Sequence, residues 1–223
     1  MDRDRFRGDL ELLGMELTED QLEAFEAFET DLYHANATRN LTRVPPQECA
    51  SRHFTDSLLL VKAIEPTGRL LDLGTGPGFP AWPLACAFPS LHVTALDSNG
   101  KMLAFLRDHP LPNLTIVQVR AEDWDVWDQF DWVTGRALAP LAVQLEVSVR
   151  PCKVGGAIVP LRTPSDLPEI ERLRETLGLN LESVIEIELP GTDVRRVIPV
   201  FRKIQRTPKG FPRPWAEIRR KPL

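Results

Sequence analysis

Leu70-Leu71-Asp72-Leu73 runs straight into Gly74-Thr75-Gly76-Pro77-Gly78-Phe79-Pro80. An apolar run that stops at a glycine turn reads as a buried strand entering a tight bend. The next apolar run, Leu91-His92-Val93-Thr94-Ala95-Leu96, is closed by an acid, Asp97. Strand, glycine turn, helix, strand, acid restricts the chain to a parallel α/β sheet with a ligand site at the carboxyl ends of its strands. Glycines let backbone approach a ligand with no Cβ in the way. An acid at the second strand end can accept both hydroxyls of a ribose.

A dinucleotide-binding turn has the pattern G-x-G-x-x-G, which would put its third glycine at position 79. Here that position is Phe79, and the third glycine comes one place early at Gly78. With Pro77 and Pro80 beside it, the turn is shaped for something other than a pyrophosphate. G-x-G-x-G with an acidic strand end is the pattern of methyltransferases that use S-adenosylmethionine (SAM). On that reading Gly74, Gly76 and Gly78 touch the methionine part and Asp97 holds the ribose. Ser98 lies beside Asp97 and also suits a helix N-cap. Ala121-Glu122, after the third strand, are placed to bracket the adenine. Arg136 follows the fourth strand, Phe130-Asp131-Trp132-Val133-Thr134. It either positions substrate against cofactor or forms a salt bridge to Asp97 or Glu122.

Thr18-Glu19-Asp20-Gln21 predicts a capping box, and Leu22, Phe25, Phe28 and Leu32 follow at helical spacing. That helix is expected to end near residues 35–37. Pro45-Pro46 opens a second helical stretch to about Ile64. Strands are expected near 69–73, 91–97, 114–119, 131–134 and 154–161, and helices at 79–88, 98–109, 139–150 and 166–177. Leu181–Leu189 and Val194–Ile204 are joined by four residues, which permits only an antiparallel hairpin. The expected fold is therefore α/β: a seven-stranded, Rossmann-like class I methyltransferase sheet with an N-terminal helical cap and a C-terminal β-hairpin. The divisions are a cap at 1–66, a SAM-binding domain at 67–206 and a basic tail at 207–223.

The net charge of −5 hides an asymmetry. Arg195 to Leu223 holds ten Lys and Arg residues and one acid, Glu217, while the rest of the chain is acidic. A basic end on an acidic body fits a polyanion partner such as nucleic acid. Lys209, Arg213, Arg219 and Arg220 are the expected RNA contacts, with Arg39, Arg43 and Arg52 as a second surface. Phe211 and Trp215 among those charges suit stacking on single-stranded RNA, or a tail docked on its own domain. Cys49, Cys86 and Cys152 are widely spaced and include no C-x-x-C, so no metal site or disulfide framework is expected. This fits a cytoplasmic protein. No apolar run is long enough to span a bilayer.

After the fourth strand the chain reads Thr134-Gly135-Arg136-Ala137. It lacks the Asn/Asp-Pro-Pro-aromatic motif of enzymes that methylate exocyclic amines, and no cysteine nucleophile for pyrimidine carbon lies near. A guanine N7 needs neither, because its lone pair is free to attack by positioning alone. Arg52, His53 and Asp56 lie within one helical turn. Arg52 and Asp56 are spaced to pair, and His53 and Asp56 to share a face.

The sequence resembles the RsmG (GidB) family of bacterial methyltransferases. The matching residues are Asn36, Asn40-Leu41-Thr42, Arg52-His53, Asp56-Ser57-Leu58 and Asp72 through Pro80. Asp97-Ser98, Lys101, Arg136-Ala137, Gly155-Gly156, Thr207-Pro208 and Phe211-Pro212-Arg213 continue the match. The resemblance implies methyl transfer from SAM, leaving S-adenosylhomocysteine, to N7 of a guanine in 16S ribosomal RNA, position 527 in conventional numbering. It implies small-subunit RNA or the 30S particle as partner, no metal, and cofactor contacts at Gly74, Phe79, Ala121, Glu122 and Arg136. Nothing in the sequence demands an oligomer, so a monomer is expected. Ala81-Trp82 depart from the family pattern, and Trp82 is a candidate to reshape the pocket floor. Two other readings stay open: a SAM methyltransferase for another RNA or a small molecule, and a non-catalytic ribosome-binding module.

Overall fold

The computed structural model describes residues 1–223. Two helices open the chain, α1 (Arg3–Leu12) and α2 (Glu19–Arg39). The capping box at α2 is formed. Gln21 N–H donates to Thr18 Oγ1 at 3.3 Å, and Thr18 N–H donates to Gln21 Oε1 at 2.9 Å. The second helical stretch is broken rather than continuous. A 3₁₀ turn at Pro46–Glu48 leads to a π-helical segment, Ala50–Thr55, then to one α-turn, Asp56–Leu58 (α3), and a 3₁₀ turn, Leu59–Lys62. Such π segments recur at functional sites. This one carries His53 and leads directly into Asp56.

Five parallel strands follow: β1 (Gly68–Leu73), β2 (Leu91–Asp97), β3 (Leu114–Gln118), β4 (Phe130–Thr134) and β5 (Cys152–Ile158). Between them run α4 (Ala81–Ala87), α5 (Gly100–Arg107) and α6 (Leu141–Val149). The chain then adds α7 (Leu167–Arg172), β6 (Glu175–Thr176), β7 (Leu179–Glu188), β8 (Arg195–Lys203) and α8 (Trp215–Arg220). The sheet order is β3-β2-β1-β4-β5-β8-β7-β6. The hairpin β7–β8 is antiparallel, as its short loop requires.

The sheet has eight strands where seven were expected. The addition is β6, two residues paired antiparallel with the start of β7. The helix expected to reach 177 stops at Arg172, and Leu177-Gly178, both at positive φ (52° and 79°), turn the chain back. Two positive-φ residues make the turn whose twist suits a hairpin. Leucine is a poor signal for that conformation, which hid the turn in the sequence.

Each sheet face carries its own core. One packs Phe6 of α1, Phe25 and Phe28 of α2 and Phe54 of the π segment against α4, α5 and Phe79. Trp82 belongs to this core: its ring stacks on Phe28 at 4.1 Å, and its Nε1–H donates to the His109 carbonyl at 3.2 Å. It is a structural wedge between the N-terminal helices and the sheet, and lines none of the cavities at the strand ends. The other core packs α6, α7 and the fully buried Ile218 of α8 against the opposite face. Chain direction across the sheet reverses between β1 and β4, which opens a crevice at their carboxyl ends.

Candidate functional site

β1 ends in the glycine turn, and the turn hooks onto β2. Gly74 N–H and Thr75 N–H both donate to the Leu96 carbonyl, at 2.8 and 3.1 Å. Asp97 ties the turn down, accepting from Gly76 N–H at 2.9 Å and Asn99 N–H at 2.7 Å. The three glycines have different physical reasons. A Cβ at Gly74 would stand 2.5 Å from Leu138, and one at Gly78 would stand 2.8 Å from Leu106, so those two allow close packing. Gly76, at φ +57°, would meet nothing within 4 Å. What favours glycine there is the backbone conformation, not close packing.

Beneath the turn, the fully buried Asp72 caps α4 by accepting from Ala81 N–H at 3.0 Å. Burial pushes its pKa from 3.8 to about 7. Its second oxygen is buried without a partner.

A cavity of about 290 Å³ opens at the ends of β1, β2 and β3. Gly74, Asp97, Ser98, Ala121 and Glu122 all line it, so five residues expected at the cofactor come together here. Ser98 is free for this role because Asn99, not Ser98, caps α5. Leu96, Val119 and Leu138 supply apolar walls, and Glu122 is ion-paired to Arg120. Gly76, also expected at the cofactor, does not line the cavity, and neither do the buried Gly78 and Phe79. Sequence reasoning missed Trp215, which does line it.

Arg136 stands in a second cavity, of about 430 Å³, with Arg52, His53, Asp56, Arg162 and Arg196. It pairs with neither Asp97 nor Glu122. Its Nη1 donates to Asp56 at 3.0 Å and to the Arg52 carbonyl at 2.9 Å. Arg196 Nε binds the other oxygen of Asp56 at 2.6 Å. Two guanidiniums thus occupy a carboxylate that is 1% exposed. The expected Arg52–Asp56 pair does not form, since the buried acid turns toward the sheet and the exposed Arg52 pairs with Glu48 at 2.8 Å. His53 and Asp56 do share a face.

Arg136 Nη2 also donates to His53 Nδ1 at 3.1 Å, which makes Nδ1 the acceptor and puts the ring proton on Nε2. That proton goes to Thr42 Oγ1 at 2.7 Å. Burial, reinforced by Arg136, lowers the His53 pKa from 6.5 to about 3. Its ring stacks on Phe79 at 4.2 Å. Thr42 is itself held by Asn36, with Thr42 N–H donating to Oδ1 at 2.9 Å and Asn36 Nδ2 donating to the Thr42 carbonyl at 3.1 Å. The Asn-Leu-Thr segment therefore acts through His53 on Arg136.

The two cavities share Ala137 and Ala139. Ala137 has φ +52°, a strained conformation for a non-glycine residue. Burial drives all three cysteine thiols up to about 12, so none supplies a thiolate nucleophile.

In the tail, Lys209, Arg219 and Arg220 are exposed. Arg213, expected to contact RNA, is instead bound to the fully buried Glu146: Nε donates at 2.8 Å, Nη2 at 2.6 Å and the backbone N–H at 2.9 Å. A buried carboxylate needs such a partner, and that demand ties down Arg213, whose side chain is 21% exposed.

Residues 21–196 match the GidB family, described as rRNA small subunit methyltransferase G. The chain belongs to this family. It is 36% identical to the ribosomal RNA small subunit methyltransferase G of Lachnoclostridium phytofermentans over all of this chain and 98% of that protein. It is 38% identical to the Leuconostoc citreum protein of the same name over 94% of each. Among solved structures, the 1,6-didemethyltoxoflavin-N1-methyltransferase of Burkholderia thailandensis aligns with TM-score 0.58 and 16% identity, covering 85% of this chain and 92% of that one. TYW2 of M. jannaschii aligns with TM-score 0.55 and 20% identity over 67% of this chain and 75% of that one. At that identity the likeness shows a shared methyltransferase fold. No helix is long and apolar enough to cross a membrane.

Proposed function

We propose that the protein transfers a methyl group from SAM to N7 of a guanine in small-subunit ribosomal RNA, the residue numbered 527 by convention. The observation that carries this reading is the pair of cavities joined at Ala137–Ala139, one suited to a nucleoside and the other rich in arginine. The residues of the first cavity fit SAM: Gly74 brings the turn's backbone to it, Asp97 offers its carboxylate to the ribose, and Ala121 and Glu122 flank the adenine. SAM supplies an electrophilic methyl on a sulfonium.

The protein's task in such a transfer is to hold and orient. Arg136 is fixed from three sides, by Asp56, by His53 and by the Arg52 carbonyl, so its guanidinium is pre-organised at the junction. His53 is no general base. Its Nδ1 is occupied, and its pKa of about 3 leaves it almost without proton affinity at neutral pH. Asp72, near 7, lines neither cavity. The carboxylates of the second cavity, Asp56 and Asp166, are each held by arginine, and a nucleophile that carries its own lone pair, as guanine N7 does, suits such a junction. Lys209, Arg219 and Arg220, with Arg39 and Arg43, are proposed to meet RNA phosphates. The protein is proposed to act as a monomer on the 30S particle in the cytoplasm.

The test is transfer of labelled methyl from SAM to small subunits that lack the modification, with naked 16S RNA in parallel. Label recovered as 7-methylguanosine is expected. Label recovered in another nucleoside, or none with either substrate, overturns the reading.

A further inference from the structure

The carboxyl-terminal segment is docked, and the place where it docks is the wall of the first cavity. Arg213 anchors one side through its three bonds to Glu146. Ile218, fully buried in the core beneath α6, anchors the other. Between these anchors Trp215 is half-buried and lines the cavity with Gly74, Asp97 and Glu122. The Arg120 guanidinium lies 5.2 Å from the centre of the Trp215 ring and is also ion-paired to Glu122. One chain of contacts therefore runs from the tail through Arg120 to a carboxylate of the cavity.

Trp215 is the only aromatic side chain lining this cavity; the other apolar walls are aliphatic. Other partly buried aromatics pack against the same core, Trp124 and Phe211 among them, yet neither lines the cavity. Trp215 stands at a nucleoside-sized opening, held there by an anchor on each side. Purines gain from an aromatic face that aliphatic walls do not offer.

We infer that Trp215 is a cofactor-contact residue that presents its ring to the adenine of SAM. This rests on the functional reading above. It makes the tail part of the cofactor site as well as a basic arm. The exposed Arg219 and Arg220 ride on the same short helix as Trp215. A polyanion gripping them and a cofactor resting on Trp215 act on one element, and thermodynamic linkage makes any effect between them mutual. Deleting the tail should therefore damage SAM binding rather than spare it.

The experiment is calorimetric titration of SAM into the full-length wild type and the variants W215A, W215L and W215F. Circular dichroism and ligand-free melting are recorded for each. W215A and W215L should weaken SAM at least about fivefold, the lower range for loss of one base–aromatic contact. W215F should stay close to wild type. Leu keeps apolar packing without an aromatic face, so the Leu–Phe difference separates recognition from support of the fold, even if W215A does not fold. Equal affinities for W215L, W215F and wild type overturn the inference and leave the functional reading standing. A folded wild type that takes up no SAM overturns both.

Discussion

The first cavity draws its polar groups from positions just past the ends of successive strands. Gly74 follows β1, Asp97 closes β2, and Glu122 comes four residues after β3. The second cavity is assembled from distant parts of the chain. Asp56 is bound by Arg136 and Arg196, 80 and 140 residues away, and His53 by Thr42 and Arg136. The first is held by backbone hydrogen bonds of a turn, the second by a buried charge network. A turn tolerates changes elsewhere in the chain. A network of buried charges fails when any one member is left without its partner.

Gly76→Val should have the largest effect. A branched side chain at φ +57° strains the turn that Asp97 and Gly74 share, so SAM binding should fall below calorimetric detection. Normal binding by the folded variant would make the turn purely structural. Asp56→Ala should strike the other region, and strike stability. With Arg136 and Arg196 deprived of their carboxylate, urea unfolding should show a loss of about 3–5 kcal/mol. A loss no greater than that of an exposed ion pair would show that the network is not the cavity's support. Asp97→Ala should lower SAM affinity by roughly 1.5–3 kcal/mol, the value of one charged hydrogen bond, with little change in the Arg136 network. Unchanged affinity removes Asp97 from the site.

Two buried groups, His53 of the second cavity and Asp72 beneath the glycine turn, respond to pH with opposite sign. His53 is neutral when folded, down from 6.5 to about 3, so unfolding lets it take a proton below pH 6.5. Its contribution is present above 6.5 and is lost as pH falls toward 3. Asp72 is raised from 3.8 to about 7, so the folded state holds a proton that the unfolded state releases, and stability from this group rises as pH falls from 7 toward 3.8. Between these limits the slopes oppose each other. His53→Gln removes one of them. Relative to wild type, that variant should gain stability as pH drops below 6.5, approaching about 1.4 kcal/mol per pH unit in urea titrations. A parallel pH profile in the two proteins would mean that His53 is not held neutral. Thr42→Val should be the mildest change, costing about 1 kcal/mol for the lost acceptor of His53 Nε2–H. Nitrogen NMR of the ring should then show the Nε2–H signal of the wild type altered, and an unaltered ring would break the link from Thr42 to Arg136.

Much of the first cavity was legible in the sequence, because its information is local. A glycine turn after a strand, an acid at the next strand end and a short loop forcing a hairpin each state their geometry within about ten residues. Gly74, Asp97, Ser98, Ala121 and Glu122 could be brought to one place from such signals. Asn36, Thr42, His53 and Asp56 stood out as a pattern, yet nothing near them named Arg136 or Arg196 as their partners. The tail carried a charge signal for Arg213, and packing overrode it by supplying a buried Glu146. Trp215 read equally as an RNA-stacking residue or a docked one, and Trp82 as a pocket residue. Only the fold put the first at a cavity wall and the second against Phe28. The sequence by itself determined the strand order's starting point, the turn and the acid, since backbone conformation and hydrophobic period are set by neighbours along the chain. Tertiary structure decided who neutralises each buried charge, because that depends on which side chains the closed sheet brings within hydrogen-bond distance, and no spacing along the chain encodes it.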